Sequence, residues 1–158
     1  MMHRYDVHVS TVPPVPLVAL RRRVSQRELS RVVPEACGAV WNAVRAQNLP
    51  AGRHVAVYLD GSINVEVGVE CAGPFAAHGD FVATDTPGGL AASVTHLGPY
   101  GNLGAGHDAV RQWCEEHDYR LTGPSWEVYG HWQDEWNVDP AQIRTDIFYQ
   151  VAPLSRPA

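Results

Sequence analysis

Pro124-Ser125-Trp126-Glu127-Val128-Tyr129, read against Arg53-His54-Val55-Ala56-Val57-Tyr58, decides the fold. Both stretches alternate like strands and end on tyrosine. Each is followed by a polar turn and a second strand, Asn64–Val69 in one case and Arg144–Tyr149 in the other. Upstream, Ala39-Val40-Trp41 precedes Val57-Tyr58 by nearly the distance that separates Ala109-Val110 from Val128-Tyr129. The chain therefore reads as a degenerate tandem repeat.

Each half is expected to run strand, helix, strand, strand. In the first, an edge strand covers about Leu17–Arg22, flagged by Pro13, Pro14 and Pro16. A helix follows from about Pro34, suited to a first helical position, to Asn48, with Pro50 as its stop. Cys37, Val40, Trp41 and Val44 recur at i, i+3, i+4, i+7 as its apolar face, and Trp41 is assigned to the core. In the second half the strand is about Leu90–Leu97. The helix runs from Asn102, its N-cap, to Asp118, with Leu103, Val110, Trp113 and Cys114 inward. The fold class is α+β, a tandem β-α-β-β repeat with antiparallel sheets, helices on one side and a cleft between the halves. One domain is expected over 5–152: a first repeat at about 15–72, a linker at 73–89, a second repeat at 90–152, then a tail at 153–158.

Composition narrows the function. The chain has 158 residues, 45% hydrophobic and 18% charged, with a formal net charge of −5. That is globular, and too acidic for a partner held by phosphate contacts, so no direct nucleic-acid binding is expected. Arg21, Arg22, Arg23, Arg27 and Arg31 read as a solvated cluster. Three cysteines without a CxxC, and eight histidines without HExxH spacing, point to reduced thiols, no metal and no cofactor. No apolar run has the length of a membrane span or a signal peptide, so a cytoplasmic location is expected.

Strand alternation selects candidate site residues. If the valines of Asn64–Glu70 face the helix, Glu66 faces away from it. The same phase turns Tyr58, Glu127, Tyr129, Asp146 and Phe148 away as well. One surface would then carry Tyr58, Glu66, Glu127, Tyr129, Asp146 and Phe148, with Trp132 and Trp136 able to close over it. Carboxylates beside ring faces suit an organic cation, since both attract positive charge. A carboxylate in an apolar cleft also suits a general acid or base.

Thr95-His96-Leu97-Gly98-Pro99-Tyr100 before a helix resembles the GPY signature of the GyrI-like small-molecule-binding domains. Trp126-Glu127-Val128-Tyr129 resembles that family's [FWY]-E-[VI]-Y strand, and Thr145-Asp146-Ile147-Phe148 its last strand, usually Thr-Glu-Ile-Tyr. The resemblance spans roughly Tyr5 to Val151. It implies a cleft for hydrophobic, often cationic aromatic compounds, with the family's central carboxylate at Glu127 and a second acid at Asp146. Family members include effector domains of transcription regulators, gyrase-inhibitory proteins, drug binders and hydrolases of cyclopropane-bearing genotoxins. The reading adopted is a stand-alone binder of hydrophobic cationic aromatics. The alternatives are a cyclopropane hydrolase in which Glu127 activates water, and a gyrase-inhibitor-like protein.

Overall fold

A computed structural model describes residues 5–60 and 64–154. The strands are β1 (His8–Val12), β2 (Pro16–Arg23), β3 (His54–Tyr58), β4 (Asn64–Glu70), β5 (Phe81–Asp85), β6 (Gly89–Leu97), β7 (Tyr119–Tyr129) and β8 (Arg144–Pro153). The helices are α1 (Leu29–Ala46), α2 (Leu103–Glu116) and the one-turn α3 (Glu135–Val138). All eight strands join in one antiparallel sheet, ordered β1-β6-β8-β7-β3-β4-β2-β5. The order strand, helix, strand, strand occurs twice, as β2-α1-β3-β4 and β6-α2-β7-β8, and the two sets meet where β3 pairs with β7.

Several expected boundaries are corrected. β2 is not an edge: Phe81–Asp85, expected as linker, forms β5 and pairs along it. The prolines allow this, because Pro13 and Pro14 precede the strand and Pro16 is its first residue. The first helix starts at Leu29, which puts Pro34 inside it. A 3-10 turn at Gln26–Glu28 launches the helix, with the Glu28 carboxylate accepting from the Ser25 N–H at 3.0 Å and from its hydroxyl at 2.9 Å. Pro34 is exposed, and so is Ser30, whose carbonyl loses its helical donor at a position open to solvent. Trp41 is 39% exposed, tilted against His54, and not core. The buried stripe of α1 is Val32, Ala36, Val40, Ala43 and Val44.

Both helices pack on the same sheet face. Val40 and Val44 meet Val65, Val67 and Val69 of β4, and Val110 and Cys114 meet Val94, Ile147 and Tyr149. At Gly106 a Cβ would lie 2.7 Å from Ile147 Cδ1, so α2 sits close to the sheet. The other face carries a core of its own, formed by Leu17, Val55, Val57, Ala91, Trp126 and Val128. Each fully buried valine or leucine there contributes about 1.5–3 kcal/mol.

Two short connectors explain that second core. Residues 13–15 lead from β1 to β2, and residues 86–88 lead from β5 to β6. Each pair of strands is six places apart in the sheet. A flat sheet would put them about 29 Å apart at ~4.8 Å per strand. Three connecting residues reach at most about 15 Å, so the sheet must curl. The connectors meet: the Val15 N–H donates to Thr86 Oγ1 at 2.8 Å, and the Thr86 N–H donates to the Val15 carbonyl at 2.9 Å. Gly88, in the left-handed region at φ +64°, passes so close to Pro14 that a Cβ would lie 2.8 Å from its nitrogen. The helices occupy the outer face of the curl.

Gly88→Ala is expected to cost about 3 kcal/mol in urea unfolding. Gly79→Ala, with φ +55° and nothing within 4 Å of a Cβ, should lose only about 1 kcal/mol. Equal losses would deny the connector crossing any special role.

Candidate functional site

α1 packs on β4 and β2, and α2 on β6, β8 and β7, so the gap between the two helices falls over β3 and the side of β7 that pairs with it. Glu127 points into it. On β7 it is paired with Ala56 of β3 and Ile147 of β8, both helix-facing positions, and only 4% of its surface is exposed.

Three side chains hold the carboxylate. Oε1 accepts from the Tyr58 hydroxyl at 3.1 Å and from the Tyr129 hydroxyl at 2.5 Å. Oε2 lies 2.6 Å from His107 Nε2. The other ring nitrogen, Nδ1, is 2.7 Å from the Tyr149 hydroxyl, which also accepts from Arg111 at 2.8 Å. Tyr100 leans edge-on against Tyr129 with ring centroids 5.6 Å apart, and is 43% exposed at the solvent side. Burial alone would raise the Glu127 pKa. The hydrogen bond and charge of His107, and the hydroxyls of Tyr129 and Tyr58, outweigh burial and hold the carboxyl below its ordinary 4.5. The phenols shift the other way: burial first, then the Glu127 charge, pushes Tyr58 and Tyr129 up, and burial also raises Tyr149. On the α1 side, burial pushes the Cys37 thiol up to about 11, so it faces the tyrosines as a neutral group.

The residues expected on one surface divide between two faces. Tyr58, Glu127 and Tyr129 lie on the helix side, in the gap. Glu66, Asp146 and Phe148 lie on the opposite side. The expected phase of Ala56–Tyr58 and Trp126–Tyr129 is therefore reversed. The cause is the second core: Val55, Val57, Trp126 and Val128 are buried without touching a helix, so an apolar run does not mark the helix side. Glu66 accepts from Arg21 of β2 at 2.5 Å. Asp146 accepts from Thr95 at 2.8 Å and from Arg144 at 3.3 Å, and Phe148 stacks on Trp126 at 5.1 Å. Asp146 and Phe148 line a separate cavity of about 440 Å³ beside Asp6, His8, Thr95 and Arg144. Trp132 and Trp136 pack edge-to-face after β7, where Trp136 is buried near Gly130.

Sequence reasoning passed over His107, Arg111 and Tyr100, and placed Tyr149 only as core. His107 did leave a signal. Leu103, His107, Val110 and Cys114 follow the apolar spacing of α2, so His107 is a polar residue inside a buried stripe. Among the described residues no cluster of three metal-ligating side chains occurs, and no helix is long and apolar enough to cross a membrane.

Solved structures share this architecture. The C-terminal domain of EcmrR aligns with a TM-score of 0.77 and 22% identity, over 96% of this chain and 100% of that one. In the EcmrR–DNA complex the match covers 95% of this chain and 58% of the longer EcmrR chain. SAV2435 bound to tetraphenylphosphonium aligns with a TM-score of 0.62 and 10% identity, over 95% of this chain and 94% of that one. A hydrolase encoded by lin2189 from Listeria innocua aligns at 0.58 and 10% identity, over 93% and 92%. No curated protein matches. The model of the GyrI-like small-molecule-binding domain matches residues 5–152, and the chain belongs to that family.

Proposed function

We propose that the chain binds hydrophobic aromatic cations in the gap between α1 and α2, with Glu127 as the counter-charge. The observation that carries this reading is a buried, ionised carboxylate ringed by phenols. A carboxylate offers about four lone-pair positions, and Tyr58, Tyr129 and His107 take three. The remaining capacity for directional hydrogen bonds is small, while the negative charge is intact and poorly solvated. Such a site favours a ligand that brings charge and apolar rings rather than donors. The tyrosine rings supply stacking surface and quadrupole attraction. SAV2435 carries tetraphenylphosphonium, a ligand of this chemistry, on a related fold. The C-terminal domain of EcmrR, a protein seen in complex with DNA, shares this fold, and ligand sensing is one use that such binding would serve.

The free position on Glu127 Oε2 supports a second reading. There Glu127 takes a proton from a water whose oxygen bonds to one ring carbon of a cyclopropane as a ring C–C bond breaks, and that proton passes to the carbon released. Turnover of a cyclopropane substrate by the wild type and none by Glu127→Gln would carry it.

Tetraphenylphosphonium should quench tryptophan fluorescence with a Kd in the micromolar range or tighter, about −8 kcal/mol or better. Glu127→Gln should weaken it at least about tenfold. Absence of binding to the folded wild type would reject the cation reading. Neutral triphenylphosphine oxide should bind at least about tenfold more weakly than the cation to the wild type, and about equally to Glu127→Gln. Equal affinities in the wild type would show that charge is not what the site reads.

A further inference from the structure

We propose that His107 is the site's resident cation, and that an organic cation bound at Glu127 displaces one proton from its ring. The proposal rests on the cation-binding reading above and adds a proton to it.

The geometry allows both protonation states without rearrangement. With His107 protonated, Nε2–H donates to Glu127 and Nδ1–H donates to the Tyr149 oxygen. With His107 neutral, Nε2–H still donates to Glu127, and the Tyr149 hydroxyl turns to donate to Nδ1. Arg111 donates to the Tyr149 oxygen in either case. No partner is lost when the proton leaves. The 2.6 Å approach of Nε2 to Oε2 is the close contact that a charge-assisted imidazolium–carboxylate pair would make. Both side chains are nearly buried, at 15% and 6% exposure, so their attraction is weakly screened.

A second positive charge brought to Glu127 would lie beside the imidazolium in this poorly solvated gap. Loss of the ring proton removes the repulsion and returns the full carboxylate charge to the ligand. The groups facing His107 do not compete for this role. The Glu127 carboxyl on β7 is held below its ordinary pKa, and the phenols of Tyr149 on β8, Tyr58 on β3 and Tyr129 on β7 are all raised, burial being the first cause. On α2, Asp108 pairs with Arg111 at 2.5 Å. Cys37, which faces Tyr129 from α1, is pushed up to about 11. The proposal therefore assigns proton release to the imidazole, the group in contact with both Glu127 and Tyr149.

The sign follows. Where the free site holds the proton, binding must expel it, so apparent affinity for a cation rises with pH, by up to about tenfold per unit, and levels off once the ring is neutral. The test is calorimetric titration with tetraphenylphosphonium, whose charge does not change with pH. It is run at several values between about pH 5 and 8, the range in which histidines generally titrate, in paired buffers of different ionisation enthalpy. About one proton should be released per ligand at the acidic end and close to none at the basic end. His107→Gln, which keeps a donor for Glu127, should bind with no buffer dependence and a flat pH profile. Wild-type binding without proton release overturns the proposal and leaves the cation reading standing. Unchanged pH dependence in His107→Gln also overturns it. No binding by either folded protein at any pH rejects the cation reading and this proposal together. If His107→Gln does not fold, the wild-type proton count decides alone.

Discussion

The site depends on the crossing of two three-residue connectors beneath the sheet. Each must join strands six places apart, and they hold one another through two hydrogen bonds between Val15 and Thr86. The sheet can satisfy both only by curling. Curling buries Leu17, Val55, Val57, Trp126 and Val128 on the inner face, and carries α1 and α2 apart on the outer one. α1 then packs on β4 and β2, and α2 on β6, β8 and β7, so the helices part over β3 and the adjoining side of β7, where Glu127 sits.

A carboxylate in that position would be poorly tolerated without partners, since burial disfavours its charge. Tyr58, Tyr129 and His107 answer the cost from three separate elements, β3, β7 and α2. Their contacts tie the two strand–helix–strand–strand sets together across the β3–β7 pairing. Glu127 thus remains ionised with little hydrogen-bonding capacity left over, a combination suited to a bulky cation and ill suited to a ligand recognised through many donors. His107 differs from the tyrosines in being able to carry charge itself, which makes it a rival of the ligand as well as a support for the carboxylate.

Much of the frame was legible in the residues. The matching stretches around Val55–Tyr58 and Trp126–Tyr129 both became strands, each followed by a second strand, and the expected helices formed with shifted ends. β5 went unseen because Phe81–Asp85 lies in a stretch rich in glycine, proline and alanine, and it becomes a strand only by pairing with β2. The start of α1 was missed because Pro34 suits a first turn, whereas the local signal that mattered was the Ser25–Glu28 cap.

By itself the sequence determined which segments alternate, that an acid stands between tryptophan and valine on a strand ending in tyrosine, and that α2 carries a histidine in its apolar stripe. Only the tertiary structure decided which side of the sheet that acid occupies. Alternation states that neighbouring residues face opposite ways, but it identifies the helix side only when one face alone is buried. Here both faces are buried, one under helices and one under the crossing connectors. The three-dimensional fold therefore divided Glu66, Asp146 and Phe148 from Tyr58, Glu127 and Tyr129, and brought His107 and Tyr149 to the carboxylate from elements distant in the chain.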